Sequence, residues 1–278
     1  MQDVMQQLAQ GGLVIDGALE YGRLVRCKVE GDTGRKQSGW YVLHTLVLDN
    51  GQDVVVGRYG NWKRYGGEGQ KVELDLPELT AEQKKAFAAE QKRLSDAARR
   101  ERLARAEEAA ERAKKLFPKL PDSGKSPYLD RKKVRAFGVR FSRGSIVVPL
   151  RNSELKLVGL QFIAPDGSKK FLTGTAKMGA FHMVGVPSEK SPLCIAEGYA
   201  TAATVHMASG WACLVAFDAG NLKPVALAAR KMYPDIELVI CGDDDHATDG
   251  NPGVTKATEA AAAVGGCVVI PQFEKGAL

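Results

Sequence analysis

The 278-residue sequence has little cysteine and no pairing pattern for it. Its five cysteines are an odd number and none belongs to a C-x-x-C pair, so neither a zinc ribbon nor a disulfide framework is indicated. No apolar run approaches the roughly 18 residues that a membrane helix needs. The first residues, Met1-Gln2-Asp3-Val4, lack the features of a signal peptide. We therefore expect a cytoplasmic protein with no membrane partner.

A nucleotide-driven motor is not expected either. Gly124-Lys125-Ser126 ends like a phosphate-binding P-loop, but the position of that motif's first glycine is occupied by Lys119.

What the sequence does contain is a charge asymmetry that the formal net charge of +6 conceals. Residues 126–190 hold 12 basic and 4 acidic residues, whereas residues 191–278 hold 5 basic and 10 acidic ones. Basic surfaces attract phosphate backbones, and clustered acids attract divalent cations. The two blocks together point to metal-dependent chemistry on nucleic acid.

Residues 1–79 are predicted to form a small β-rich domain. Apolar runs at 24–29, 40–48 and 54–59 are separated by turn residues, and Asn50-Gly51 is a strong hairpin signal. A rim of aromatic and basic residues follows, with Trp62, Lys63 and Arg64 as candidates for binding single-stranded nucleic acid. The alternative for these aromatic residues is a place in the core of the domain.

Residues 80–125 are predicted to form a charged helix and a linker. Thr80-Ala81-Glu82-Gln83 is a capping box, and Pro118 ends the helical segment. The apolar positions are few and mostly alanine, which favours a solvated spacer between domains over a coiled coil.

The remaining chain is predicted to be α/β. Residues 126–190 alternate short strands and turns and form a basic mixed α/β subdomain. Residues 191–278 read as βαβαβαβ, a Rossmann-like parallel sheet covered by helices.

Acidic residues follow two of the predicted parallel strands. Glu197 comes directly after the first strand, and Asp243 and Asp245 follow the third. Because reactive groups collect at the carboxyl ends of parallel strands, the three carboxylates are expected to lie together and to bind Mg²⁺ or Mn²⁺. Asp218, Asn221 and Asp249 are further candidates, for which turn formation or helix capping is the alternative.

These residues resemble a known family. Glu197-Gly198 after one strand and Asp-x-Asp after a later strand are similar to the signature of the Toprim domain of primases, topoisomerases and certain nucleases. The string Glu197-Gly198-Tyr199-Ala200-Thr201-Ala202 resembles the motif of primases from satellite phages and conjugative plasmids. The basic stretch from 147 to 177 is similar to the other half of a primase core.

The resemblance implies a DNA primase that makes short RNA primers on single-stranded DNA from NTPs by two-metal nucleotidyl transfer. Glu197, Asp243 and Asp245 would hold the metal ions, and Arg151, Lys170 and Lys177 match basic positions that would hold triphosphate or template. A replicative helicase is an implied partner, and a phage, plasmid or other mobile element is the implied source. A Toprim nuclease and a non-catalytic protein that binds single-stranded nucleic acid remain alternatives.

Overall fold

The computed structural model describes residues 2–34, 36–47, 51, 53–65, 68–72, 81–244 and 250–271. The chain separates into two compact units, residues 1–96 and 97–278. The finer division into four segments stays a prediction. Among the described helices, none is both long enough and apolar enough to cross a bilayer.

Five described strands of the first unit form an antiparallel sheet in the order β1-β2-β3-β4-β5. The elements of this unit, in chain order, are α1 (Gln2–Gln10), β1 (Leu13–Val14), β2 (Leu24–Val29), β3 (Gly39–Val47), β4 (Asp53–Asn61), α2 (Trp62–Tyr65) and β5 (Gln70–Lys71). The three strands predicted from the sequence are confirmed as β2, β3 and β4. The β3–β4 hairpin is confirmed as well, since Val47 pairs with Asp53, although Asn50 lies outside the described residues.

Helix α1 was not predicted. Its Val4 and Leu8 are one helical turn apart and are buried, with 2% and 0% of their surfaces exposed. Both join Tyr41 and Leu43 of β3 in one core cluster. The apolar face of the helix therefore anchors it to the sheet.

Asp32 organises the connection between β2 and β3. Its side chain is shielded from solvent and accepts hydrogen bonds from the Ser38 N–H at 2.8 Å and the Val29 N–H at 3.1 Å. The Lys63 ammonium of α2 lies 2.9 Å from its other oxygen. Burial raises the pKa of Asp32, but the hydrogen bonds from Ser38, Lys63 and Val29 outweigh that effect and hold the pKa well below its usual range.

The second unit contains two sheets. The first has the strand order β6-β7-β8-β9, all antiparallel. Its elements are α3 (Ala81–Leu116), which begins before the unit boundary, a 3₁₀ turn (Phe117–Lys119), α4 (Pro127–Lys132), β6 (Arg140–Ser142), β7 (Ser145–Arg151), β8 (Leu157–Ile163) and β9 (Lys169–Phe171). This agrees with the mixed α/β subdomain predicted for residues 126–190.

The second sheet has the order β10-β12-β11-β13-β14. Strands β11 to β14 are mutually parallel and β10 runs antiparallel at one edge. The elements are β10 (His182–Val184), β11 (Leu193–Ala196), α5 (Tyr199–Ser209), β12 (Cys213–Val215), a 3₁₀ turn (Ala219–Asn221), α6 (Leu222–Met232), β13 (Leu238–Cys241), α7 (Pro252–Val264) and β14 (Cys267–Val269). The predicted parallel βαβαβαβ arrangement is confirmed.

The predicted solvated spacer is wrong for the C-terminal part of α3. Ala109 and Ala113 are fully buried, and Ala113 shares a core cluster with Val147 of β7 and Leu160 of β8. Alanine side chains are too small to give a strong apolar signal, yet they let a helix backbone approach a sheet closely. The capping-box residue Thr80 lies outside the described residues.

We expect Asp32→Asn to destabilise the first unit, because the amide removes the ion pair with Lys63 and replaces an acceptor by a donor. Hydrogen exchange of the full chain should show faster exchange of β2 and β3 amides, while Asp53→Asn, a matched change at an exposed position, should not. Because the pKa of Asp32 is depressed in the folded protein, its ionised carboxylate stabilises the fold at pH values above the unfolded pKa, about 3.9 for Asp. This stabilisation is lost as the pH falls through the folded pKa. The difference between wild type and Asp32→Asn should therefore persist at pH 5 and narrow only in strong acid. Equal exchange at neutral pH would contradict this role.

Candidate functional site

The candidate site lies at the carboxyl edge of the parallel sheet. Strands β11 and β13 are neighbours, and Ala196 is paired with Cys241, the last residue of β13. Glu197 is the next residue after β11, and Asp243 is the second residue after β13. The register therefore brings these two carboxylates to the same edge of adjacent strands, and both are half-buried.

The same loop contains three further acidic residues, Asp244, Asp245 and Asp249. Asp245 and Asp249 lie outside the described residues, so the predicted trio stays a prediction. Among the described part of the chain, no three His, Cys, Asp or Glu side chains form a metal-holding group. Asp244 accepts a hydrogen bond from the Asn251 side chain at 2.8 Å and is thereby tied to the start of α7.

The Glu-Gly-Tyr string has a clear structural basis. Gly198 is the N-cap of α5 and has an extended backbone. The Tyr199 hydroxyl accepts a hydrogen bond from the Phe137 N–H at 2.7 Å and donates to the Arg135 carbonyl at 3.1 Å. Burial raises the pKa of Tyr199, which is only 1% exposed. The tyrosine is thus an anchor for residues 135–137 and not a nucleophile.

Gly242 leads from β13 into the acidic loop through a narrow space. A Cβ at this position would lie 2.6 Å from Ile270 Cδ1 and 2.8 Å from Ala257 Cβ. The Gly242 N–H donates to the Val269 carbonyl at 3.0 Å. This close packing fixes where the segment bearing Asp243 leaves the sheet.

Asp218 extends the same edge beyond β12. It follows Phe217, whose φ of +74° is strained for a bulky residue. Its carboxylate caps the next turn by accepting from the Asn221 N–H at 3.1 Å, and it forms an ion pair with Lys177. The Lys177 ammonium also lies 5.9 Å from the centre of the Phe171 ring, which meets Phe217 edge to face.

Asn221 joins residues 177–180 to the end of β12. It is fully buried, and its amide nitrogen donates to the carbonyl oxygens of Lys177 and Ala180 at 3.1 and 3.0 Å. The same nitrogen donates to the Ala216 carbonyl at 2.8 Å, and Oδ1 accepts from the Gly179 N–H at 2.7 Å. Burial and satisfied hydrogen bonds indicate a structural role for this predicted candidate.

Lys169 was not among the residues predicted from the sequence. In β9, side chains alternate between the two faces of the sheet, so Lys169 and Phe171 share one face and Lys170 projects from the other. The Lys169 ammonium lies 3.7 Å from where a Cβ on Gly198 would stand, next to Glu197. The predicted Lys170 is exposed on the opposite face. Strand alternation alone predicts that the two lysines project from opposite faces of the strand. It does not predict which face lies against the acidic edge.

The remaining predicted basic and aromatic residues are placed as follows. Arg151 ends β7 and donates from Nη1 to the Leu155 carbonyl at 2.9 Å. In the first unit, Trp62 is 49% exposed, with the Arg26 guanidinium 6.0 Å from its ring. Lys63 pairs with Asp32, and Arg64 donates to the Gln10 carbonyl at 2.6 Å.

The described carboxylates fit a hard divalent cation. Glu197 and Asp243 offer oxygen ligands of the kind that Mg²⁺ and Mn²⁺ prefer. Neither side chain is deeply buried, so a hydrated ion could reach both.

The sequence that contains this site is similar to known proteins. Residues 191–270 match the family model described as the Toprim domain. Two proteins named DNA primase TraC, both from Escherichia coli, are 36% and 34% identical to this chain over 271 and 270 residues. The alignments cover 92% and 91% of this chain but only 24% and 18% of the relatives, so the chain spans about a quarter or less of their length.

Solved structures with some likeness are also primase domains. The primase fragment of the bacteriophage T7 primase-helicase protein has 16% identity and a TM-score of 0.36, covering 49% of this chain and 57% of that one. The DnaG primase catalytic domain bound to ssDNA has 13% identity and a TM-score of 0.32, covering 58% and 57%. Because these scores are below 0.5, the fold assignment rests on the strand order and the Toprim match.

We expect the second unit to lose stability between about pH 6.5 and pH 4 because of His182. This residue of β10 is 3% exposed, and its Nε2 lies 2.8 Å from the Phe137 carbonyl. Burial lowers its pKa from 6.5 to about 4, helped by the nearby Arg151. The unfolded chain binds the proton first as the pH falls, so unfolding becomes easier, by on the order of 3 kcal/mol at pH 4.

His182→Gln can donate to the same carbonyl but does not titrate. In a Trp40→Phe/Trp62→Phe background, where Trp211 is the remaining tryptophan, urea unfolding should show a shallower pH dependence for this variant. If the free energy of unfolding changes equally with pH in proteins with and without His182, the assignment of this pH dependence to His182 is contradicted.

Proposed function

We propose that this chain, which carries a Toprim domain and is similar to DNA primase TraC along most of its length, is the catalytic part of a DNA primase. In this proposal it joins NTPs into short RNA primers on a single-stranded DNA template. The relatives are known by name as primases, and the activity of the present chain is our inference from the site.

The observation that carries the proposal is the register between β11 and β13. It brings Glu197 and Asp243 to one edge within the residues that match the Toprim domain. Asp245 is proposed as the third ligand, since it is two residues from Asp243 in the same loop. When bound there, Mg²⁺ or Mn²⁺ would activate a 3′-hydroxyl and neutralise the charge of departing pyrophosphate.

The cations on the facing elements would hold the anionic substrates. Lys169 stands beside Gly198, and Lys177 stands at Asp218, so both flank the acidic edge. Arg151 and Lys170 are proposed to contact template or triphosphate further out. A basic surface facing an acidic metal site supports polyanion binding and not the binding of a neutral substrate.

Partners and source are proposed from the resemblance. Single-stranded DNA and NTPs would be the substrates, with a replicative helicase as an additional partner. Trp62, Lys63 and Arg64 of the first unit are proposed to contact single-stranded nucleic acid, and Trp62 has the exposure that base stacking needs. The source is proposed to be a phage, plasmid or other mobile element, from the resemblance of the string that begins at Glu197.

The central test is a primer-synthesis assay with Asp243→Asn. Labelled NTPs, single-stranded DNA and Mg²⁺ or Mn²⁺ should yield short oligoribonucleotides with wild type, and at least about a hundredfold less with this variant, because one ligand charge is lost. Asp235→Asn, a matched change just before β13 at the opposite edge of the sheet, should retain activity.

Two results would redirect the proposal. Metal-dependent cleavage of DNA without NTPs would identify a Toprim nuclease. Salt-dependent binding of single-stranded DNA with neither synthesis nor cleavage would identify a non-catalytic binding protein.

A second test compares the two neighbouring lysines of β9. Lys169→Met should lower the rate of primer synthesis by about ten- to a hundredfold, because it removes a cation from beside Gly198, the residue that follows Glu197. Lys170→Met makes the same chemical change on the opposite face and should have a smaller effect. The reverse order of the two effects would contradict the strand-face argument.

A further inference from the structure

Residues 173–180 connect the strand that bears Lys169 to the strand β10 that joins the parallel sheet, and Lys177 is in their middle. We call this segment the strap. Its two ends are held by different parts of the second unit, and each attachment is specific.

The first end of the strap is pressed against α3. Gly174 has a φ of +91°, and a Cβ there would lie 2.7 Å from the Arg105 carbonyl oxygen and 3.3 Å from Ala109 Cβ. Arg112 of the same helix donates from its guanidinium to the Thr173 carbonyl. The buried face of α3 therefore sets the position at which the strap leaves β9.

The second end of the strap is held by Asn221. This buried amide bonds to the backbone of Lys177, Gly179 and Ala180 and to the end of β12. Between the two attachments, the Lys177 ammonium is placed against Asp218 and over the Phe171 ring. A displacement of either end would move this ammonium relative to the acidic edge.

We propose that α3 acts as a brace that positions Lys177 for the substrate, with Gly174 and Arg112 as positioning residues. The inference rests on the proposed function, since it takes Lys177 as a ligand of the NTP triphosphate. It assigns to the charged helix a role in the reaction that neither its composition nor its place before the core indicates.

The test uses Gly174→Ala with Gly210→Ala as its matched control, both in the full chain. Gly210 has a comparable φ of +75°, but a methyl group added there would meet no atom within 4 Å, so it shares the backbone strain without the collision. Arg112→Gln, with Arg105→Gln as control, probes the same contact through a milder change. Arg105 pairs with Glu101 on the helix surface.

The first readout does not depend on catalysis. Acetylation of Lys177 by an N-hydroxysuccinimide ester, followed by mass spectrometry, should be about threefold or more faster in Gly174→Ala, because the ammonium has left Asp218. The rate should match wild type in Gly210→Ala. Equal rates in the two glycine variants would overturn the brace, even if wild type makes no primers.

The second readout is primer synthesis. Gly174→Ala should raise the KM for NTP about tenfold with kcat changed much less, and Arg112→Gln should move KM in the same direction by about threefold. In a Lys177→Ala background, Gly174→Ala should have no further effect on KM, because it acts through that lysine. Fully additive effects would overturn the inference, whereas absence of product from wild type would count against the proposed function alone.

Discussion

The candidate site depends on the parallel pairing of β11 with β13. This pairing sets Ala196 beside Cys241, and the residues that follow each strand reach the same edge. A shift of one residue in this register would turn every side chain of β13 to the other face and carry Asp243 away from Glu197. Apolar side chains of β11 and β13 are buried in core clusters on both faces of the sheet. Their packing fixes the register, so the core determines the position of the acids.

The antiparallel sheet β6-β7-β8-β9 contributes the opposite charge. Its edge strand β9 brings Lys169 to Gly198, and the strap brings Lys177 to Asp218. The charge asymmetry seen in the sequence thus corresponds to two facing surfaces, one with cations and one with carboxylates. The side-chain amide of Asn221 connects the two surfaces and is fully buried. An uncharged side chain suits this position because a buried charge would carry a high desolvation cost.

Much of this fold could be predicted from the sequence, because apolar runs with turn residues between them identify strands reliably. The predicted starts of β7 and β11 agree with the structure, and Glu197 and Asp243 were found from their place after strands. The face of a strand from which each side chain projects was harder to predict. Lys170 was selected from the sequence because the stretch around it resembles a motif. The neighbouring Lys169 is the lysine that lies beside Gly198. Its position follows from the pairing of β9 with β8 and from the approach of β9 to the parallel sheet. The packing of α3 was missed because alanine contributes little apolar signal.

The most direct test of this account is Mn²⁺ binding to the full chain, followed by electron paramagnetic resonance. Wild type should bind Mn²⁺, and Glu197→Gln and Asp243→Asn should each weaken binding by about tenfold or more, because each removes one carboxylate ligand. Glu237→Gln, just before β13 at the opposite end of the strand, should bind like wild type. Unchanged binding in both site variants, or an equal loss in Glu237→Gln, would contradict a shared metal site at the carboxyl edge.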